Sequence, residues 1–145
     1  MQTKSDWRSQ AANSLYQTAI LVQQLLQQGN YAEAQSGIDA LIEAMGRSEK
    51  RALRSQLIRL MVHVIKWQCQ PGKRSSSWVV SILSARREIV DIQAEVPSLN
   101  QSFIESIWDK SFDAALKEAE AEMGFKCQLT KLSGQQIFED EYSLL

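Results

Sequence analysis

From Leu53 to Trp67 the chain places an apolar residue at almost every helical position. At 100° per residue, Leu53, Leu57, Leu60, Val64 and Trp67 form a central stripe, Met61 widens it, and Ile58, Val62 and Ile65 cover the far side. One polar arc is left in the middle turns, made of Arg59, His63, Lys66 and Gln70, while Arg54 and Gln68 break the apolar surface only near the ends. A helix that is apolar nearly all round has to lie centrally, with neighbours on most sides. Those neighbours are read as helices too. The chain has only two prolines and six glycines, and its other apolar residues recur at spacings of three and four rather than alternating.

Local stop and start residues divide the chain into five predicted helices. Leu15, Thr18, Ala19, Val22, Leu25 and Leu26 form one stripe, closed by Gly29. Asn30 and Glu33 have the spacing of an N-cap and a third-position carboxylate, opening a second helix through Ile38, Leu41, Ile42 and Met45 that ends at Gly46. Ser48 caps the third, which runs to about Gln68, because Pro71 and Gly72 forbid continuation. Ser75, Ser76 and Ser77 offer caps for a fourth through about Glu95, with Trp78, Val79, Ile82, Leu83, Ile89 and Val90 on its buried face; Pro97 halts it. Ser98 and Gln101 open a long fifth helix that ends at Met123 and Gly124. A tail with one short turn, Ser133 to Phe138, follows. At 145 residues and 44% apolar content, one core burying roughly 68–70% of the unfolded surface is expected. The prediction is an all-α, single-domain bundle of about five helices over residues 1–145, with a C-terminal tail packed across it.

The formal charge is only -1, which argues against a polycation that coats nucleic acid by bulk charge. Its distribution is uneven. Residues 47–87 carry ten bases and one acid, whereas residues 88–145 carry twelve acids and four bases. The bland reading is that these are facing walls of one bundle and solvated helix surfaces. The sharper one is a basic patch of Lys66, Lys73 and Arg74 beside Trp67 and Trp78, contacting phosphate or an acidic partner. Within the inward face of the fourth helix stands Arg86, and Glu118 and Glu122 fall near the centre of the fifth helix's inward face. A buried guanidinium needs a partner, so Arg86 is predicted to meet one of these carboxylates.

Motifs for chemistry are sparse. There is no phosphate-cradling glycine loop, no metal-ligand helix and no nucleophile elbow, so neither a cofactor nor a metal is expected. The one histidine, His63, reads first as a hydrogen-bonded structural residue and only second as an acid–base group. Trp67 and Trp78 read as packing at a corner before they read as stacking platforms. Cys69 and Cys127 stand alone, with no CxxC and no His at a ligand spacing, which argues against a zinc site and a secreted disulfide framework and for a reducing cytoplasm, with Cys69 inert. The longest apolar run after Lys4 and Arg8 is Ala19 to Val22, far short of a signal-peptide core or a membrane span.

Three stretches, MGRSEKRALRSQL, MVHVIKWQCQPGKRSSSW and SGQQIFEDEYSLL, resemble the domain of unknown function family numbered 29, a bacterial helical family abundant in cyanobacteria. The resemblance runs from about Leu15 to the terminus. Its most specific block sets His63, Lys66, Trp67, Pro71, Arg74, Ser75, Ser77 and Trp78 where the family has those types. It implies an α-helical domain with no settled biochemical role. It also implies two departures: the family's adjacent glutamates are replaced by Ala40 and Leu41, and its Asp-Ala-Arg by Ala114, Ala115 and Leu116. If those polar groups form a family active site, this chain keeps only Glu43, His63 and Arg86.

These readings converge on a non-enzymatic binding protein of the bacterial cytoplasm. Its partner would be another protein or a second copy of the chain, and its informative surface Arg59, His63, Lys66 and Gln70 continuing into Lys73 and Arg74. The alternative is a nucleic-acid binder or nuclease that uses this arc beside Glu43.

Overall fold

The computed structural model describes residues 2–145, and they are all-α. Six helices follow in order: α1 (Lys4–Asn13), α2 (Leu15–Gln27), α3 (Tyr31–Cys69), α4 (Ser76–Glu95), α5 (Gln101–Met123) and α6 (Gly134–Phe138). A single 3-10 turn, Pro71–Lys73, joins α3 to α4. The chain divides into two compact units, residues 1–50 and 51–145, and α3 contributes to both. The apolar core is likewise two clusters where the sequence suggested one.

The predicted break at Gly46 and Ser48 does not occur, and one helix spans what was read as two. Gly46 takes no left-handed conformation, unlike Gly29 and Gly124. A glycine with ordinary helical angles costs about 1 kcal/mol relative to alanine, which a long helix anchored by packing on both sides of it absorbs.

In the first unit, Trp7 and Ala11 of α1 meet Val22 of α2 and the small residues Ala34, Ala40 and Ala44 of α3. Gly37 sits beneath Trp7 and Val22, where a Cβ would come within 2.5 Å of Val22 and 2.8 Å of the Trp7 ring. This close approach decides which face of α3 goes inward. The small stripe is buried, and Ile42 and Met45, expected inside, remain 65% and 54% exposed. On α2, Thr18 and Val22 are buried while Leu15 and Leu26 are exposed. Glu33, expected to serve a capping box, accepts a hydrogen bond from Trp7 Nε1 at 3.2 Å. Arg8 and Arg47 both reach Glu43 Oε1 at 2.7 Å.

The second unit is organised around the later half of α3. Leu53, Leu57, Leu60, Met61, Val62, Val64, Ile65 and Trp67 are all buried, as the stripe analysis predicts. Against them pack Ile82, Ala85 and Ile89 of α4, Ile104, Phe112, Ala115 and Ala119 of α5, and Leu99, Leu132 and Ile137 from the connecting and terminal segments. Ser75 caps α4, accepting from the amide of Trp78, and Gly124 ends α5 with a left-handed φ of 82°. The cap of α5 is Asn100, not Ser98: its side chain accepts from the Phe103 amide at 3.1 Å. Ser133 and Gln136 form a reciprocal capping box that fixes the start of α6.

Candidate functional site

The polar arc on α3 lies half-buried in the second unit. His63 Nδ1 is 2.8 Å from the carbonyl oxygen of Arg59. A carbonyl only accepts, so Nδ1 carries the proton and Nε2 holds the lone pair in the neutral ring. Burial lowers the His63 pKa from its usual 6.5; the Arg59 carbonyl opposes this, Lys66 adds to it, Glu122 opposes it, and the Arg59 charge adds again. The histidine is thus a neutral imidazole at pH 7 with an acceptor nitrogen.

One turn further on, the Lys66 side chain is only 13% exposed, and its ammonium donates to Glu122 Oε2 at 2.8 Å. The same ammonium lies 4.8 Å from the centre of the Trp78 ring. A carboxylate and an aromatic face together make partial burial of a lysine tolerable. Among the described residues this is the one ion pair joining the basic segment 47–87 to the acidic half of the chain.

Arg74 folds back rather than outward. Its Nε donates to the carbonyl oxygen of Trp67 at 2.9 Å, and its guanidinium carbon lies 4.7 Å from the centre of the Trp67 ring. It therefore serves one of the last carbonyls of α3, which have no partner within the helix. Trp67 in turn meets Tyr142 edge-on, with ring centres 5.5 Å apart. Gln70 closes the corner by accepting from the Lys73 amide, Arg59 donates to Gln56 at 3.3 Å, and Lys73 itself is exposed.

The predicted pairing of Arg86 with Glu118 or Glu122 is not found. Glu118 and Glu122 are both exposed, and Glu122 is taken by Lys66. Arg86 instead donates from Nε to the Ile137 carbonyl at 2.8 Å, and from Nη2 to the carbonyls of Asp140 at 2.8 Å and Gln136 at 3.4 Å. The C-terminal end of α6 supplies enough oxygen atoms to satisfy a guanidinium without a carboxylate, and its partial negative charge suits a cation. Tyr142 completes the arrangement: its hydroxyl donates to the Gln136 carbonyl at 2.7 Å, and its ring lies 5.5 Å from the Arg86 guanidinium carbon. Burial lowers the Arg86 pKa and raises that of Tyr142, and each is opposed in part by the other.

The cysteines are a second correction. Cys69 and Cys127, read as isolated thiols, form a disulfide with Cα atoms 6.1 Å apart. The last residue of α3 and the segment after Gly124 converge only in the fold, and a sequence separation of 58 carries no signal of it. The argument for a reducing compartment from unpaired cysteines loses its basis. No helix of the described residues is long and apolar enough to cross a membrane. Nor, among them, are three or more His, Cys, Asp or Glu residues gathered to hold a metal ion.

Of the residues singled out beforehand, the structure brings Lys66, Trp78 and Glu122 into contact, with His63 one turn away, and joins Trp67 to Arg74. Glu43 belongs to the first unit, bound to Arg8 and Arg47, and Ala40 and Glu43 line a cavity of about 290 Å³ there with Trp7, Arg8 and Asp39. Ala114 is exposed, Ala115 buried and Leu116 half-buried on α5. Sequence reasoning missed Tyr142 and the carbonyls of α6, since nothing in a sequence marks which backbone oxygens will receive an arginine.

Fold and cluster together define an all-α protein with a cation-rich corner where α3 turns into α4. The chain belongs to the family described as Domain of unknown function DUF29, which it matches over residues 5–143, so the match takes in α1 as well as the motifs around His63. No curated protein and no solved structure matches it.

Proposed function

We propose that this chain is a non-enzymatic helical module that binds a protein partner through the arc of Arg59, His63, Lys66, Gln70 and Lys73. The observation that carries this reading is how the cations of the corner, and Arg86 further along α4, are spent. Lys66 is committed to Glu122 and Trp78, Arg74 to Trp67, and Arg86 to three carbonyls. Charges held in this way fix a shape, which weighs against a surface built to neutralise a string of phosphates. What remains presented is a rigid, mixed surface: the neutral His63 Nε2, the exposed edge of the Lys66–Glu122 pair and the free ammonium of Lys73. A few fixed polar groups on a stiff scaffold suit selective protein contact.

The nuclease alternative needs Glu43 as a working carboxylate, and the two arginines on its Oε1 weigh against that role. The test is recovery of a defined partner with the intact chain, followed by His63→Ala and Lys73→Glu variants whose circular dichroism is unchanged. Loss of that partner from both variants supports the reading. Undiminished binding by both, or metal-dependent degradation of RNA or DNA that disappears in Glu43→Gln, overturns it.

A further inference from the structure

The face of α4 turned away from its core is not the polar surface that an outward helix face normally carries. Ile82, Ala85 and Ile89 point into the second cluster, while Val80 is 62% exposed, and Leu83 and Val90, expected on the buried face, are instead 56% and 62% exposed. Together with the exposed Ser76, Arg87 and Ala94, they follow one another at alternating steps of four and three residues. That is the spacing of a seam between paired helices, and it lies on the side of α4 roughly opposite its own core.

The seam is also symmetric about position 85. Ser76 and Ala94, Val80 and Val90, and Leu83 and Arg87 are each equidistant from it. Two copies of α4 laid antiparallel across a two-fold axis would therefore set Val80 against Val90 and Leu83 against the aliphatic stem of Arg87. Small residues at both ends would let the helices close.

Charge favours the same orientation. The entry to α4 carries the exposed Lys73 and the positive end of the helix dipole, and residues 76–85 hold no charge. Its second half carries three exposed acids, Glu88, Asp91 and Glu95, against one exposed base, Arg87. Antiparallel pairing brings the acidic end of one helix to the basic end of the other, whereas parallel pairing sets like against like. We infer that the outer face of α4 is an isologous interface for a second copy of this chain. This names a partner on a different face from the arc of the proposed function, and it stands whether or not that reading does. A seam of about 27 Å is short, so the dimer is a weak, reversible one.

Sedimentation equilibrium on the full chain, from micromolar to several hundred micromolar, tests it. A monomer–dimer equilibrium is expected, weakened at least tenfold by Leu83→Glu or Val80→Asp with helicity unchanged. Orientation is read separately with the native cysteines oxidised: a Val80→Cys copy should crosslink with a Val90→Cys copy faster than either does with itself. A chain that stays monomeric throughout, a dimer indifferent to Leu83→Glu, or preferential Val80–Val80 crosslinking would each overturn the inference. The His63→Ala variant should dimerise normally, so loss of the arc's partner and loss of the dimer are distinguishable outcomes.

Discussion

Arg74 holds Trp67 twice, donating from Nε to its carbonyl oxygen at 2.9 Å while its guanidinium covers the indole at 4.7 Å. The contact ties the turn after α3 to the last turn of the helix it terminates. It also begins a continuous stack. Trp67 meets Tyr142 edge-on, and Tyr142 carries the Arg86 guanidinium, which grips the end of α6. Cation, ring, ring and cation thus connect the corner between α3 and α4 to the C-terminal segment. The positive charge of residues 74 and 86 is used to assemble that connection.

Truncating Arg74 removes both a charge-assisted hydrogen bond and a cation–π contact. Arg74→Ala should therefore lower the unfolding free energy by about 1–2 kcal/mol, read by urea denaturation. Arg74→Lys should recover less than half of this, because an ammonium cannot present a planar donor to the carbonyl and lie flat on the indole at once.

Arg86→Met tests whether the guanidinium is what holds the C-terminal segment. The methionine fills part of the volume but leaves the carbonyls of Gln136, Ile137 and Asp140 without that donor. A loss of about 2–3 kcal/mol is expected. Amide hydrogen exchange should accelerate across residues 134–142 more than in α5. A Glu122→Gln variant should leave those amides unchanged, since Arg86 does not depend on that carboxylate.

How far the sequence reached depends on what kind of signal each feature leaves. The buried half of α3 was fully legible, because large apolar residues from Leu53 to Trp67 have one way to be satisfied. Caps at Ser75 and Gly124 were legible for an equally local reason. α1 was not, since its buried contribution is one large residue, Trp7, and an alanine. The inward face of α3 at Gly37 was misjudged because a small-residue stripe buries less per residue than Ile42 and Met45 would, and wins only when a tryptophan from elsewhere fills the groove. At the end of α3 the sequence marked individual residues but not their contacts. His63, Lys66 and Trp78 were identified, whereas the partners of Arg86, the role of Tyr142 and the union of Cys69 with Cys127 arise from segments far apart in sequence.

Gly37 offers the sharpest check on the first unit. Gly37→Ala would normally favour a helix, but here the new Cβ would meet Val22 and a Trp7 ring that is itself buried. Overpacking should prevail, destabilising by about 1–3 kcal/mol. Gly46→Ala, where a Cβ meets open space on the same helix, should instead stabilise by up to about 1 kcal/mol. Opposite signs in thermal denaturation are the expected outcome.

His63 gives the fold a pH dependence of definite sign. Its folded-state pKa is lowered, chiefly by burial, so below 6.5 the unfolded chain binds this proton more readily than the folded one. The stabilising contribution is complete above pH 6.5 and is lost as the pH falls from there through the folded-state value. Denaturation midpoints taken from pH 7.5 to 5 should decline, and the decline should be shallower in His63→Gln. Imidazole titration by NMR should give a midpoint below 6.5; one above it would contradict the burial seen here.

The disulfide links the end of α3 to the segment after α5 across 58 residues. A crosslink acts largely on the unfolded chain, which loses the freedom of the loop it closes, and for a loop of this length the chain-entropy relation gives a contribution of about 4 kcal/mol. Dithiothreitol should therefore lower the urea midpoint of the wild-type chain substantially. Cys127→Ala should begin at the lowered value and show no response to reductant. Because the bond closes a loop that contains α4 and α5, its loss should act on the global unfolding of the second unit, while amide exchange in α1 and α2 under native conditions stays as it was. A midpoint that ignores the reductant would mean that the two sulfurs, though adjacent, do not constrain the chain.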